Sequence, residues 1–120
     1  MIKVRGIDAV YFIVKDYAKI NTFYSNLLGP PEMVQPGAFC EWTFADGTSF
    51  GVYAAEDAKV GTSGSVMFAV DDLSAAVAEA KKHGATFKSE ETMETPNCHM
   101  VFGDDPEGNE FFFHKRKSAA

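Results

Sequence analysis

Two glutamates and two histidines on short apolar stretches are the side chains of this chain best placed to do chemistry: Glu41, Glu110, His99 and His114. Glu41 stands in Phe-Cys-Glu-Trp-Thr, and Glu110 opens Glu-Phe-Phe-Phe-His. A carboxylate among aromatic side chains loses hydration, so its pKa rises and it becomes able to act as a general base or acid. The rival reading is a partly solvated acceptor for a ligand or for the backbone. Were His99 and His114 to share a face, they and the two glutamates would make an improvised metal site. Spacing alone does not supply the convergent geometry that a metal needs, so hydrogen-bonding histidines in a cleft or at a sheet edge are the preferred reading. Tyr11 and Tyr53 combine an apolar ring with a polar tip and suit the lining of the same cleft, although plain packing also fits them. Cys98 adjoins His99, but neighbours on a strand point to opposite faces, which argues against a Cys–His pair. His83, beside Gly84, reads as a solvated residue at a helix end, where a basic group favours the dipole.

These residues must be positioned by a small fold. The chain has 120 residues, is 46% hydrophobic and carries eleven phenylalanines. That length fits one compact domain, or two small halves with a shared core. A formal net charge of −6 repels phosphate backbones, so nucleic acid is not expected as a partner. Cys40 and Cys98 belong to no CxxC motif, the first residues show no signal-peptide core, and no apolar run reaches the length of a membrane span. The reading is a soluble, cytoplasmic protein with no membrane partner.

Residues 7–14 read as a buried strand. Asp16 can cap a helix whose stripe is Ile20, Phe23, Leu27 and Leu28, ended by Gly29 and two prolines. A short extended piece around Glu32–Gln35 precedes strands 39–44 and 48–54, joined at Asp46-Gly47. A two-residue loop would put Glu41 on the side of Phe50 and Val52. A three-residue loop with a glycine bulge pairs Glu41 with Gly51 and Trp42 with Phe50, and leaves each face chemically uniform. The second register is preferred, because it keeps an unpaired carboxylate off the apolar face. Trp42, Phe44, Phe50 and Val52 then cover the helix, and Glu41, Thr43, Ser49, Gly51 and Tyr53 form the polar face.

The pattern then starts again. Ser65–Val70 reads as a strand, Asp72 caps a helix with Leu73, Ala76, Val77 and Ala80 on one stripe, and Gly84 ends it. A strand-like piece near Ala85–Lys88, a polar loop through Pro96, strand 98–103, the turn Asp104–Asn109 and strand 110–115 follow. Val14-Lys15-Asp16 aligns with Val70-Asp71-Asp72, and Ser49–Tyr53 with Glu110–His114. This is an internal repeat of β-α-β-β-β units. The expected division is module 1 at about 5–55, a linker at 56–64 and module 2 at about 65–116. Helices are expected outside a larger curved sheet, with a cleft inside.

Val14-Lys15-Asp16 with Phe23-Tyr24 and Leu28-Gly29, Val70-Asp71-Asp72 with Gly84, and Asp105-Pro106-Glu107-Gly108-Asn109 recur in an order and spacing that resembles the vicinal oxygen chelate superfamily. That superfamily includes glyoxalase I, bleomycin-resistance proteins and extradiol dioxygenases. Pro96–Met100 together with His114-Lys115-Arg116 is similar to a widespread branch of small glyoxalase/bleomycin-resistance-like proteins. The resemblance implies an α+β fold of two tandem β-α-β-β-β modules forming a curved mixed sheet around a ligand, but no particular reaction. It also implies metal-ligand positions on the first and last strands of each half. Here those positions hold Ala9, Ser65, Gly51 and Phe112, and none is a ligand. No metal or other cofactor is therefore expected, and neither is metal-dependent glyoxalase I or dioxygenase chemistry.

The leading expectation is metal-independent binding of a small, partly aromatic or hydrophobic compound, possible sequestration included, with Tyr11, Glu41, Tyr53, His99, Glu110, Phe112 and His114 as ligand-binding residues. Bleomycin-resistance-like members form clefts with help from a second protomer, which implies a homodimer. The alternative is a lyase, isomerase or hydrolase using Glu/His acid–base chemistry or an atypical metal site. A third reading is a purely structural dimeric partner subunit.

Overall fold

The structure, a computed structural model, describes residues 3, 5, 7–57, 59, 61, 63–87, 89, 92–94 and 98–116. Pro96 and Asn97, used above for the resemblance, lie outside them, as do Lys88 and linker residues 58, 60 and 62. Among the described residues the order is β1 (Ala9–Val14), α1 (Tyr17–Leu28), β2 (Met33–Gln35), β3 (Phe39–Thr43), β4 (Ser49–Ala54), β5 (Ser65–Ala69), α2 (Leu73–Lys82), β6 (Met93–Glu94), β7 (Cys98–Asp104) and β8 (Glu110–Arg116). Hydrogen bonding divides the strands into two four-stranded sheets, ordered β1-β4-β3-β2 and β5-β8-β7-β6. In each sheet the first strand runs parallel to the last, and the other pairs are antiparallel. The α+β class of tandem β-α-β-β-β modules is thus the observed one. None of the described helices is long and apolar enough to cross a membrane.

The caps follow local chemistry. Asp16 accepts from Lys19 N at 3.1 Å and Asp72 from Ala75 N at 3.0 Å, each satisfying a free helix-end donor. Gly29 N reaches back to Ser25 O at 2.9 Å with φ at 87°, a conformation that suits glycine. Ile20 and Phe23 of the expected stripe are buried, and so is Tyr24, which the stripe did not include. At about 1.5–3 kcal/mol per buried large side chain, this face holds α1 on its sheet.

The β3–β4 hairpin takes the three-residue loop. Glu41 pairs with Gly51 and Trp42 with Phe50, while Phe44 N bonds Thr48 O at 2.8 Å and Gly47 sits at φ 89°. Two elements of the second module differ from expectation. Residues 85–87 form no strand, and Thr86 makes a single bridge to Asp104. The short strand is instead Met93–Glu94, inside the stretch read as a polar loop. Two exposed edge residues offer no hydrophobic alternation from which to read it.

The helix-facing sides of both sheets share one core. Phe50 of β4 meets Phe68 of β5 with ring centroids 5.2 Å apart, and Phe23 of α1 meets Phe111 of β8 at 6.2 Å. Tyr24 packs on Phe12 and Phe50 of the first sheet. This corrects the expected placement of the helices outside the sheets. α1 touches both sheets, and the opposite side of each sheet turns away from the common core.

Candidate functional site

The outward side of the first sheet brings together Tyr11, Glu41 and Tyr53, with Phe39 beside them. The register is responsible: Tyr11 and Glu41 flank Gly51 on neighbouring strands, and Phe39 pairs with Tyr53. Tyr11 Oη donates to Glu41 Oε1 at 2.6 Å, within the range of a charge-assisted bond. Burial, then the hydrogen bond and negative charge of Glu41, push the Tyr11 phenol up to about 12. The Tyr11 ring lies 6.1 Å from that of Tyr53 and 6.5 Å from that of Phe39, inclined by 58° and 63°. It also covers Gly51, where an added Cβ would come within 2.6 Å of Tyr11 Cε2 and 2.7 Å of the Cys40 carbonyl oxygen.

On the second sheet Phe112 pairs with Met67 and with Phe102, and His114 with Met100. Phe102 and Phe112 stack at 4.6 Å. Glu110 is on the same side but at the exposed start of β8, opposite Ser65 and Asp104. His99 is elsewhere. Its register places it opposite Lys115, on the side of Val101, and its Nδ1 lies 2.9 Å from Glu94 Oε1. His99 and His114 are an odd number of residues apart in register terms, so they occupy opposite faces and form no pair. The predicted residues therefore fall into a Tyr11–Glu41–Tyr53 cluster on one sheet, a Phe112–His114 pair on the other with Glu110 at its rim, and a separate His99. Between the modules a cavity of about 740 Å³ is bordered by Leu27, Phe44, Phe50, Val66 and Phe68, with His114 at its edge.

A metal of the kind found in related enzymes does not fit the donor set. Ala9, Ser65 and Phe112 offer no side-chain ligand of the usual type, and Gly51 lies under an aromatic ring. Among the described residues no group of three or more His, Cys, Asp or Glu side chains could hold an ion. Cys40 is a buried thiol whose pKa burial pushes up, the opposite of an activated nucleophile.

Asp105–Asn109, read from the sequence as a turn and as part of the resemblance, also fastens the modules together. Asp105 Oδ1 accepts from Glu107 N and Asn109 N, both at 2.9 Å. Its Oδ2 accepts from Tyr24 Oη at 2.9 Å and Asn109 Nδ2 at 3.0 Å. Glu107 reaches the entrance of α1, accepting from Lys15 N at 3.0 Å and Asp16 N at 2.6 Å. Asn109 Oδ1 accepts from Gly61 N at 3.1 Å. Burial pushes the Asp105 carboxyl up from 3.8, and these donors pull against that rise. An aspartate two and four residues before turn amides was the available signal for the local half of this network.

A family model for the Glyoxalase/Bleomycin resistance protein/Dioxygenase superfamily matches residues 6–113, and the chain belongs to that superfamily. Among solved structures, a glyoxalase/bleomycin resistance protein from Albidiferax ferrireducens T118 is 20% identical, with a TM-score of 0.75 over 92% of this chain and 98% of that one. The solution structure of an Agrobacterium tumefaciens protein is 21% identical, with a TM-score of 0.77 over 96% of this chain and 100% of that one. A glyoxalase-related enzyme from Fulvimarina pelagi is 13% identical, with a TM-score of 0.71 over 98% and 100%. At these identities the likeness is one of fold. No curated protein matches the sequence.

Proposed function

We propose that this chain is a metal-independent binder of a small, partly aromatic or hydrophobic compound, acting in the cytoplasm as a homodimer that sequesters its ligand. The observation that carries this reading is the Tyr11–Glu41–Tyr53 cluster: inclined rings around one carboxylate, built over a glycine that leaves them room. Small-molecule sites set a few placed polar groups among apolar and aromatic side chains. Both outward faces are open, with Tyr53 39% and Met67 47% exposed. A second copy laid over them would turn each open face into one wall of a cleft.

The test is a thermal-shift screen of aromatic metabolites and antibiotics, with sedimentation to measure the assembly. A ligand at a hundred times its Kd stabilises by about 2.7 kcal/mol, which moves the midpoint by several degrees. No shift from any compound well above micromolar concentration removes the basis for sequestration. A stoichiometric ion in purified protein sinks the metal-free part, and a monomer at working concentration sinks the dimer.

One observation favours a second reading. A carboxylate held on an open face by the 2.6 Å bond from Tyr11 also suits the proton acceptor of a lyase, isomerase or hydrolase. Turnover that survives chelation and disappears in Glu41→Gln would select that enzyme over a pure binder.

A further inference from the structure

Ring geometry separates the two outward faces. Phe102 and Phe112 stack at an interplanar angle of 29°, so each spends a face on the other. Tyr11 meets Tyr53 at 58° and Phe39 at 63°, so these rings stand as inclined walls and not as a stack. Glu41 stands beside these walls. Its Oε1 takes the Tyr11 hydrogen bond, and among the described residues no Lys, Arg or His forms an ion pair with it. A neutral aromatic guest would strip water from this carboxylate and give nothing back, and an anion would be repelled. A guest carrying positive charge gains from the carboxylate and from the negative faces of the rings together. The net charge of −6 raises the local concentration of such a guest.

We propose that Tyr11, Phe39, Tyr53 and Glu41 form a cage for an organic cation, its alkylammonium head held between the three rings and the carboxylate. The inference rests on the binding reading above and names its ligand class. The Tyr11–Glu41 bond fixes the carboxylate against the rings, and Gly51 gives the Tyr11 ring its place.

The experiment compares choline with 3,3-dimethylbutan-1-ol, a neutral isostere with carbon in place of nitrogen. NMR titration of the full chain follows the Tyr11, Phe39 and Tyr53 ring resonances. Choline is expected to bind at least tenfold more tightly than the alcohol and to shift all three rings. Glu41→Gln, which keeps an acceptor for Tyr11, should abolish that preference, and Tyr53→Leu at a surface position should weaken choline at least fivefold with the fold intact by circular dichroism. Equal binding of the two compounds, or a preference that survives Glu41→Gln, overturns the cage. If neither binds but aromatic compounds shift the thermal midpoint, the cage falls and the binding reading stands. If no compound of either kind binds, both fall.

Discussion

Replacing Tyr24 by phenylalanine tests how the two halves are fastened. The variant keeps the buried ring, which is 1% exposed, and deletes one hydroxyl. That hydroxyl is one of two side-chain donors to Asp105 Oδ2, and it crosses from α1 of the first module to the β7–β8 turn of the second. Hydrogen bonds to charged groups contribute about 1.5–3 kcal/mol, and here little room exists for water to substitute, so a loss of about 2 kcal/mol is expected. With a urea m-value of about 1–2 kcal/mol/M for a domain of this size, the midpoint should fall by about 1–2 M at unchanged m. The pH dependence gives the sharper check. Burial holds the folded Asp105 pKa above its ordinary 3.8. The native state therefore binds more protons than the unfolded chain in the window above 3.8, and stability falls as pH rises through the folded pKa. Deleting a donor to the carboxylate raises that folded pKa further. The deficit of Tyr24→Phe should be full at pH 7 and shrink as pH is lowered toward 4. Urea denaturation across that range measures it. A loss below 0.5 kcal/mol, or one that is the same at every pH, would refute the assignment of Asp105 as a buried charged acceptor.

Three further outcomes follow from the same contacts. Gly51→Ala puts a Cβ 2.6 Å from the Tyr11 ring and 2.7 Å from backbone oxygen, so it should destabilise by about 1–3 kcal/mol and weaken ligand binding with it, both readable by calorimetry. Glu41→Gln should lower the Tyr11 pKa from about 12 while leaving it above 10, because burial is the larger cause; ring-carbon NMR across alkaline pH reports it, and an unchanged value would count against the contact. Glu107→Ala frees two backbone donors at the α1 entrance and should cost about 1 kcal/mol in chemical denaturation, less than Tyr24→Phe because the site is exposed and water can replace the carboxylate.

Particular residues explain what could be read in advance. The β3–β4 register was legible because a wrong one would bury Glu41, so chemistry on each face chose the loop. The duplication was legible because caps and glycine stops are local signals: the structure pairs Ala9 with Ser49 and Ser65 with Glu110, the same correspondence. Tyr24 stands four positions after Ile20 and so belongs to the same stripe by spacing; what the sequence hid was the partner of its hydroxyl, eighty-one positions away. The outward direction of the candidate faces was also hidden. Each sheet has an apolar side that suits a helix, and only contacts such as Phe50 with Phe68 reveal that these sides meet each other. Strand periodicity separates the two faces of His99 and His114, but only once the β7–β8 register is known.

The two positions at which the resemblance implies a carboxylate ligand hold Gly51 and Phe112, and their surroundings differ. In the first module Gly51 has no side chain, and Tyr11 from the parallel neighbour fills the space and turns its hydroxyl to Glu41. In the second, Phe112 fills its own space, stacks on Phe102 and lies beside Met67. One face thus keeps a charge and inclined rings, while the other is stacked and apolar. A ligand with a charged end and an apolar body would use both. In the proposed homodimer the first face of one copy would meet the second face of its partner, and each cleft would then offer Glu41 at one wall and Phe112 at the other. Substitutions on the two faces should accordingly impair the same binding event: Glu41→Gln in one protomer and Phe112→Ala in the other should damage a single cleft of a mixed dimer and leave its twin functional. Finding both clefts lost, or neither, would show that the two faces do not serve one site.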